Sequence, residues 1–189
     1  IMKKNKSNLT TYCISHKYFS YLDNLNLHVI GSGGYKKKYP KHWLNDATGE
    51  NISKKNKHYG TLSSIYWIWK NNIKKFKPDD FIGICHYRRF WLKKNHEKKI
   101  DLKNLNKNIL YKIPKTYQHY ECFVCKPQDL KGYKFSKLFK KGKRSMLKNP
   151  SIIFNKNEHT INLHFNMFHI YNGLEDAIKL LHKDDKEDF

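Results

Sequence analysis

The feature that most constrains the fold is an alternation of short apolar runs with one amphipathic segment. Residues 9–15 and 27–30 are β-branched or aromatic runs, and residues 81–85 are a continuous apolar run that follows two aspartates. Between these runs, apolar side chains of residues 59–75 recur at spacings of three and four, which predicts a helix that Pro78 ends. Strand, helix and strand in this order predict an α/β domain with a parallel sheet.

The helix and the apolar runs carry more detailed expectations. The apolar face of the helix would contain Tyr59, Leu62, Ile65 or Tyr66, Trp69 and Ile73. A run such as 81–85 is typical of a strand buried on both faces. Residues 35–58 are polar, rich in lysine and interrupted by Pro40, so a long loop is expected. Farther along, we predict strands at 109–113 and 121–126, and a short amphipathic helix at 174–181. The apolar content favours one domain over residues 1–189.

The net charge of +22 does not by itself indicate a function. Of the 38 basic residues, only Arg88, Arg89 and Arg144 are arginine, and the lysines are spread along the whole chain. Proteins that read nucleic acids rely on arginine for bidentate contacts, so a lysine background is a weak indication of nucleic-acid binding. A basic nucleic-acid-binding protein stays the alternative function. Because arginine is rare in this chain, the adjacent pair Arg88 and Arg89 is more informative than the net charge.

Several classes of protein are disfavoured by simple patterns. No run of about 18 apolar residues is present, and the basic start lacks the apolar segment of a secretory signal. The four cysteines are too unevenly spaced for a disulfide scaffold, and Cys122-x-x-Cys125 lacks a second pair for zinc. We therefore expect a cytoplasmic protein, with peripheral contact between its lysines and the anionic inner face of a membrane as a further expectation.

Two groups of polar residues follow predicted strands, where parallel sheets bind their ligands. His16 comes after the first strand, and His86, Tyr87, Arg88 and Arg89 come after residues 81–85. Guanidinium and imidazole groups suit a phosphate ligand. Because neighbouring residues of an extended chain point to opposite sides, we expect one arginine to face the ligand and the other to pair with an acidic side chain. The alternative is a surface turn with solvated arginines.

Other polar and aromatic segments leave two interpretations open. Residues 45–56 mix carboxylates, amides and hydroxyls, which suits either a hydroxyl-rich ligand or a loop that caps itself. Trp67 and Trp69 lie about 200° apart on a helix. One of them is a candidate for stacking on a base or a sugar; in the other interpretation Trp69 lies in the core and Trp67 packs under a loop. The histidines at 159, 164 and 169 fit core or helix-edge positions better than a metal site.

The order of four motifs resembles a family of glycosyltransferases. The motifs are Asp46-x-Thr-Gly-Glu-Asn-Ile-Ser53, Asn56, Tyr66-Trp-x-Trp-Lys-Asn71 and Ile82-Gly-x-Cys-His-Tyr-Arg-Arg-Phe90. The family comes from gene clusters for capsular polysaccharide and lipopolysaccharide, occurs also in viruses, and has long been catalogued as a domain of unknown function. The resemblance is close over residues 9–92 and loose over residues 105–189.

The resemblance implies an enzyme that moves a sugar from a nucleotide-sugar donor to a glycan or lipid-linked acceptor in surface polysaccharide synthesis. It implies an α/β fold with a GT-A-like, Rossmann-type sheet and flanking helices. That fold normally carries Asp-x-Asp and a divalent metal, whereas His-Tyr-Arg-Arg stands here, so no metal or other cofactor is expected. Within this reaction we expect Asp46, Glu50 and His86 to be catalytic, with Asp46 or Glu50 as the general base, because an acceptor hydroxyl loses its proton to a carboxylate or an imidazole. We expect the donor to be bound by His16, Asn51, Asn56, Trp67, Tyr87, Arg88 and Arg89.

Two departures from the family pattern bear on activity. Thr61 stands where the family often has an acidic residue, and the chain stops at Phe189, where the family continues. We therefore expect a domain that lacks its C-terminal part.

Overall fold

The computed structural model describes residues 8–126 and 129–182. The chain divides into two compact units, Ile1–Cys122 and Phe123–Phe189. This division does not test the expectation of one glycosyltransferase-like domain over residues 1–189, which stays a prediction.

The first unit is built on a parallel sheet, which confirms the predicted fold class. The strands are β1 (Leu9–Ser15), β2 (His28–Gly31), β3 (Leu44–Asn45) and β4 (Phe81–His86), in the spatial order β3-β2-β1-β4. Each neighbouring pair is parallel, and Cys13 lies opposite both Val29 and Cys85. The carboxyl ends of the four strands therefore meet at one edge of the sheet.

Short helices flank this sheet. They are the α-helices α1 (Asn56–Tyr59), α2 (Leu62–Asn72) and α3 (Leu105–Asn108), and the 3₁₀ turns Ser20–Asn24, Ser53–Lys55, Ile73–Lys75 and Lys115–Tyr117. Gly60 separates α1 from α2 with a φ of 52°, a conformation that glycine adopts without steric cost. The predicted helix at 59–75 is therefore confirmed in its centre and begins later than the apolar pattern suggested.

The core lies on both faces of β1, because successive side chains of a strand point to opposite sides. One face carries a buried cluster formed by Cys13, Leu22, Leu25, Val29, Trp43, Cys85, Leu105 and Ile109. The other face carries Tyr12, Ile30, Trp67 and Ile68. Helix α2 thus packs on the second face.

The predicted apolar face of α2 is wrong. The buried side chains are Ser63, Ser64, Trp67, Ile68 and Asn72. Leu62 and Trp69 are instead 57% and 54% exposed. The reason is that Ser63 and Ser64 of α2 pack against the buried carboxylate of Asp46. The inner face of α2 is therefore partly polar, and the spacing of its apolar residues predicts the wrong face.

Three other local predictions also differ from the structure. Residues 35–58 contain β3, a 3₁₀ turn and α1 instead of one long loop. Residues 109–113 and 121–126 form no strand. The prediction of a strand buried on both faces at residues 81–85 is wrong. In β4 only Cys85 is buried, because β4 is an edge strand of the described sheet and pairs with β1 alone.

The second unit is helical. It contains α4 (Phe135–Lys141), α5 (Lys143–Lys148), α6 (Ile161–Phe168) and α7 (Gly173–Lys179), with 3₁₀ turns at Pro150–Ile153 and Lys156–Glu158. Helix α7 confirms the prediction at 174–181. The small core consists of Leu138, Ile152, Leu163 and Met167. Among the described helices of the chain, none combines the length and apolar character needed to cross a membrane.

His159 is a core residue of the second unit, as the sequence pattern favoured. Its Nδ1 accepts the backbone N–H groups of Gly132 and Tyr133 at 3.0 and 3.1 Å. Its Nε2 lies 2.7 Å from the carbonyl of Ile152 and therefore donates to it. Both ring nitrogens are used in holding loops together, which is why the imidazole is buried.

Candidate active site

The carboxyl edge of the sheet brings together residues that are far apart in sequence. His16 follows β1, the Ser32–Gly33–Gly34 loop follows β2, Asp46 follows β3, and the His86–Arg89 turn continues β4. The prediction that His16 and the 86–89 segment lie at one edge is confirmed. This edge is where parallel α/β sheets bind ligands, and it is the candidate active site.

Asp46 is the centre of the hydrogen-bond network at this edge. Its Oδ2 and Oδ1 accept the backbone N–H groups of Gly33 and Gly34, both at 2.9 Å. Three hydroxyl groups also donate to it, at distances of 2.8 to 3.0 Å; they belong to Ser53, Ser63 and Ser64. The carboxylate therefore ties the loop after β2 to the start of α2 and to the 3₁₀ turn before α1.

This environment gives Asp46 a structural role. The residue is 0% exposed. Burial alone raises the pKa of its carboxyl group, but the hydrogen bonds from Gly33, Gly34 and the serines outweigh burial and lower the pKa below its usual value. A carboxylate that is buried, stabilised as an anion and fully occupied cannot take a proton from an acceptor hydroxyl. The geometry therefore does not support the predicted general base at Asp46.

The loop after β2 is fixed from its other sides as well. The hydroxyl of Tyr39 donates to the carbonyl of Ser32 at 2.7 Å, and burial raises the pKa of that phenol to about 12. The Nδ2 of Asn56 lies 2.9 Å from Ser32 Oγ. Gly31 lies directly under the ring of Tyr39, where a Cβ atom would be 2.2 Å from Cδ2. The N–H groups of Gly33 and Gly34 donate to Asp46, so they are not available to bind a phosphate.

The 47–51 segment is held by α2. The indole N–H of Trp67 donates to the carbonyl of Thr48 at 2.8 Å, and Asn71 exchanges hydrogen bonds with the backbone of Glu50 at 3.2 and 2.8 Å. Trp67 is therefore a core residue that packs under a loop, as one of the two sequence interpretations predicted. The same interpretation placed Trp69 in the core, but Trp69 is exposed. The motif that begins at Asp46 and the motif that ends at Asn71 are thus joined to each other by hydrogen bonds.

Glu50 and Asn51 also make local contacts. The carboxylate of Glu50 pairs with Lys70 at 3.1 Å and accepts from Tyr66 at 2.9 Å, and these contacts lower its pKa, Lys70 most strongly. Asn51 donates to the carbonyls of Ala47 and Gly49, and its Oδ1 accepts the N–H of Ser53. These contacts favour the interpretation of residues 45–56 as a loop that caps itself.

Residues 86–89 form a tight turn. The N–H of His86 donates to the carbonyl of Arg89 at 3.1 Å, and the N–H of Arg89 donates back at 2.9 Å. Tyr87 and Arg88 occupy the two turn positions. Paired residues of an antiparallel bridge place their side chains on the same side, so His86 and Arg89 lie together. Because residues 86–89 turn back on themselves, the alternation expected of an extended chain does not apply to Arg88 and Arg89, and both arginines are exposed at this turn.

The two imidazoles of the edge share an electropositive environment. Burial lowers the pKa of His86, and the Arg89 guanidinium lowers it further. Burial also lowers the pKa of His16, with smaller effects of Lys37 and His86 in the same direction and an opposing effect of Asp46. The ammonium of Lys37 is fixed here by a 3.2 Å hydrogen bond to the carbonyl of His16. These shifts favour the neutral form of both imidazoles at pH 7.

The arginine side chains differ in their surroundings. The guanidinium of Arg88 lies over the ring of Tyr87 at 4.8 Å, and that ring stacks on Phe19 at 5.0 Å. Both arginines line a groove of about 720 Å³, together with Tyr21, Tyr87, Phe90, Leu92, Ile100, Asp101, Leu102 and Leu105. The ion pairs found within residues 8–126 and 129–182 include neither arginine, so the expected acidic partner is not observed there.

The structure therefore divides the predicted site residues into two sets. His16, His86, Tyr87, Arg88 and Arg89 line the edge or its groove, whereas Asp46, Glu50, Asn51, Asn56 and Trp67 hold the adjoining loops. Sequence reasoning missed Lys37, because one lysine among many carries no signal. It also missed the hydroxyl groups of Ser63 and Ser64, whose position on α2 becomes meaningful only beside Asp46.

The residues of this edge do not fit a divalent cation of the Asp-x-Asp type. The carboxylate there, Asp46, has both oxygens occupied by donors, and the accessible groups are the imidazoles, Lys37 and Arg89. Within the part of the chain that is described, no three His, Cys, Asp or Glu side chains are grouped to hold a metal ion.

Comparison with known proteins gives a family and one structural likeness. No curated protein matches the chain. Among solved structures, the apo form of the bifunctional glycosyltransferase WbbM shares 27% identity over 49% of this chain and 16% of that chain, with a TM-score of 0.38. At that TM-score the likeness supports no conclusion. The profile of the family described as "Domain of unknown function (DUF4422)" matches residues 10–188. The chain therefore belongs to the DUF4422 family.

Proposed function

We propose that this chain is a glycosyltransferase domain that uses a nucleotide-sugar donor and a glycan or lipid-linked acceptor of surface polysaccharide synthesis. The observation that carries the proposal is the group of side chains at the carboxyl edge of the sheet, which contains two cations, Lys37 and Arg89, and two imidazoles, His16 and His86. The motif resemblance supports the same reaction class. The cluster suits a diphosphate, because guanidinium and ammonium groups bind phosphate oxygens with charge-assisted hydrogen bonds.

The diphosphate is the leaving group of the proposed reaction. An acceptor hydroxyl forms a bond with the anomeric carbon of the donor while the bond from that carbon to the diphosphate oxygen breaks. The electron pair goes to the diphosphate, and Arg89 and Lys37 stabilise the added negative charge. Fixed cationic groups at the point where charge develops are often the largest contribution to catalysis.

The general base of this proposal is His86, with His16 beside it, in place of Asp46 or Glu50. A base must be unprotonated at the working pH, and the pKa of His86 is lowered by burial and by Arg89. A bound diphosphate offsets the charge of Arg89, which raises the proton affinity of the imidazole when the acceptor hydroxyl must lose its proton. The cations at this edge neutralise the leaving group without a divalent metal.

The experiment separates binding from chemistry with two variants. The full chain is incubated with a panel of UDP-, GDP- and dTDP-sugars, and products are identified by mass spectrometry with and without EDTA. We expect Arg89→Ala to weaken nucleotide binding by about tenfold or more, which is the usual effect of losing a charge-assisted contact. We expect His86→Gln to retain binding and to lose turnover.

Matched controls exist in the same chain. Arg144→Ala removes the same charge in the second unit, and His58→Gln changes an exposed histidine that lies outside the site. Both controls should behave as the wild type. Strict dependence on Mn²⁺ or Mg²⁺ would contradict the metal-independent part of the proposal, and absence of any nucleotide binding would contradict the whole of it.

A further inference from the structure

A short segment of the second unit concentrates positive charge. Residues 134–148, which we call the basic aromatic segment, contain seven lysine or arginine residues and no aspartate or glutamate. All seven cations are exposed; they are Lys134, Lys137, Lys140, Lys141, Lys143, Arg144 and Lys148. The fraction of basic residues in this segment is higher than in the chain as a whole. The general lysine content of the chain therefore does not account for it.

Large apolar side chains stand among these cations. Phe135 and Phe139 are 58% and 53% exposed, and their rings stack at 6.2 Å between centroids. Four residues apart on α4, they share one helix face. Leu138 is buried in the core of the unit and fixes α4 with the phenylalanines outward. On α5, which contacts α4, Leu147 is 84% exposed.

The cations and the rings are arranged together. The ammonium of Lys143 lies 5.1 Å from the centre of the Phe139 ring. A helix surface with exposed aromatic rings bordered by lysines is typical of segments that lie in a membrane interface, where rings enter the acyl boundary and lysines contact headgroups. Nucleic-acid surfaces rely more on arginine, and this segment contains one.

We propose that the basic aromatic segment docks the protein on the surface of an anionic lipid bilayer. Phe135 and Phe139 enter the headgroup region, and the lysines around them contact anionic headgroups. Charge complementarity is what identifies the partner, because the segment carries cations alone. The inference concerns a surface of the second unit and does not depend on the proposed transferase activity.

The test is co-sedimentation of the full chain with vesicles. One set contains phosphatidylcholine alone, and the other contains about 30 mol% phosphatidylglycerol, whose negative surface attracts basic segments. We expect binding to the anionic vesicles only, with loss at high salt. Lys140→Glu with Lys143→Glu should reduce the partition coefficient by about 25-fold or more, since each lysine near such a surface contributes about fivefold. Phe135→Ser with Phe139→Ser should reduce it about tenfold.

Two matched variants control for net charge and for apolar content. Lys54→Glu with Lys55→Glu makes the same change in charge in the first unit, and Tyr59→Ser with Leu62→Ser removes two exposed apolar side chains there. Both should bind as the wild type does, and circular dichroism checks folding. Equal losses in the segment variants and their controls would overturn the proposal. Binding to duplex DNA, without vesicle binding and without an effect of the phenylalanine variant, would also overturn it.

Discussion

Replacement of Asp46 tests whether this carboxylate is a structural anchor or a catalytic base. In Asp46→Ala, the N–H groups of Gly33, which is buried, and of Gly34, which is half-buried, lose their acceptor. A buried, unsatisfied donor costs about 1–3 kcal/mol, and the half-buried amide costs less because water reaches it, so the two amides together cost about 2–4 kcal/mol. This is a large part of the stability of a domain, which is about 5–15 kcal/mol. The serine hydroxyls can rotate toward other acceptors and are left out of this figure.

The assay is denaturant unfolding followed by tryptophan fluorescence. All four tryptophans lie at positions 43, 67, 69 and 91, so their emission reports on the first unit. We expect the midpoint to fall sharply for Asp46→Ala and also for Asp46→Asn, which places an amide donor opposite other donors. Glu50→Gln is the matched control, because this exposed carboxylate pairs at the surface and should matter little. An Asp46→Asn variant that is as stable as the wild type but inactive would refute the structural role and restore the catalytic one.

The carboxylate of Asp46 also makes the stability of the first unit depend on pH. The pKa of Asp46 is lower in the folded state than its ordinary value, so its contribution to stability is present above the unfolded pKa of 3.8 and is lost as the pH falls through the folded pKa. The first unit should therefore lose stability in this acidic range, and Asp46→Ala should lose less than the wild type in the same titration.

Three further predictions concern individual contacts. The pKa values of His16 and His86 are lowered in the folded state, so the unfolded chain binds more protons near the ordinary value of 6.5; stability should fall as the pH drops below it, and a double glutamine variant should flatten that slope in thermal melts. Gly31→Ala places a Cβ atom against the Tyr39 ring and should cost about 1–3 kcal/mol of unfolding free energy, as overpacking does; an unchanged denaturation midpoint would contradict this. Asn71→Ala removes two hydrogen bonds to the backbone of the 47–51 segment and should cost about 1–2 kcal/mol by the same assay, with protease cleavage within that segment as a second readout.

The parallel sheet and the edge of the site could be predicted because they follow from local patterns. Runs of apolar and β-branched residues mark β1, β2 and β4, and the chain order of strand, helix and strand fixes their parallel pairing. His16 and the 86–89 segment could then be placed at one edge from their positions after strands. These inferences needed only neighbours in sequence.

The roles of individual residues could not be predicted in the same way. The donors to Asp46 come from the loop after β2, from a 3₁₀ turn and from α2, and no local pattern shows that they converge. For the same reason apolar periodicity misplaced the inner face of α2, which packs Ser63 and Ser64 toward that carboxylate. The turn at residues 86–89 contains no glycine, proline or asparagine, so nothing in its composition indicated that it closes on itself.

Binding of a nucleotide-sugar diphosphate at the carboxyl edge of the sheet is the step on which the proposed function depends. The most direct measurement is isothermal titration of the full chain with UDP, GDP, ADP and dTDP, in parallel with Arg89→Ala and Arg144→Ala. We expect that at least one nucleotide binds, that Arg89→Ala weakens its affinity by about tenfold or more, and that Arg144→Ala leaves it unchanged. Equal affinity in all three proteins, or no binding of any nucleoside diphosphate, would contradict it.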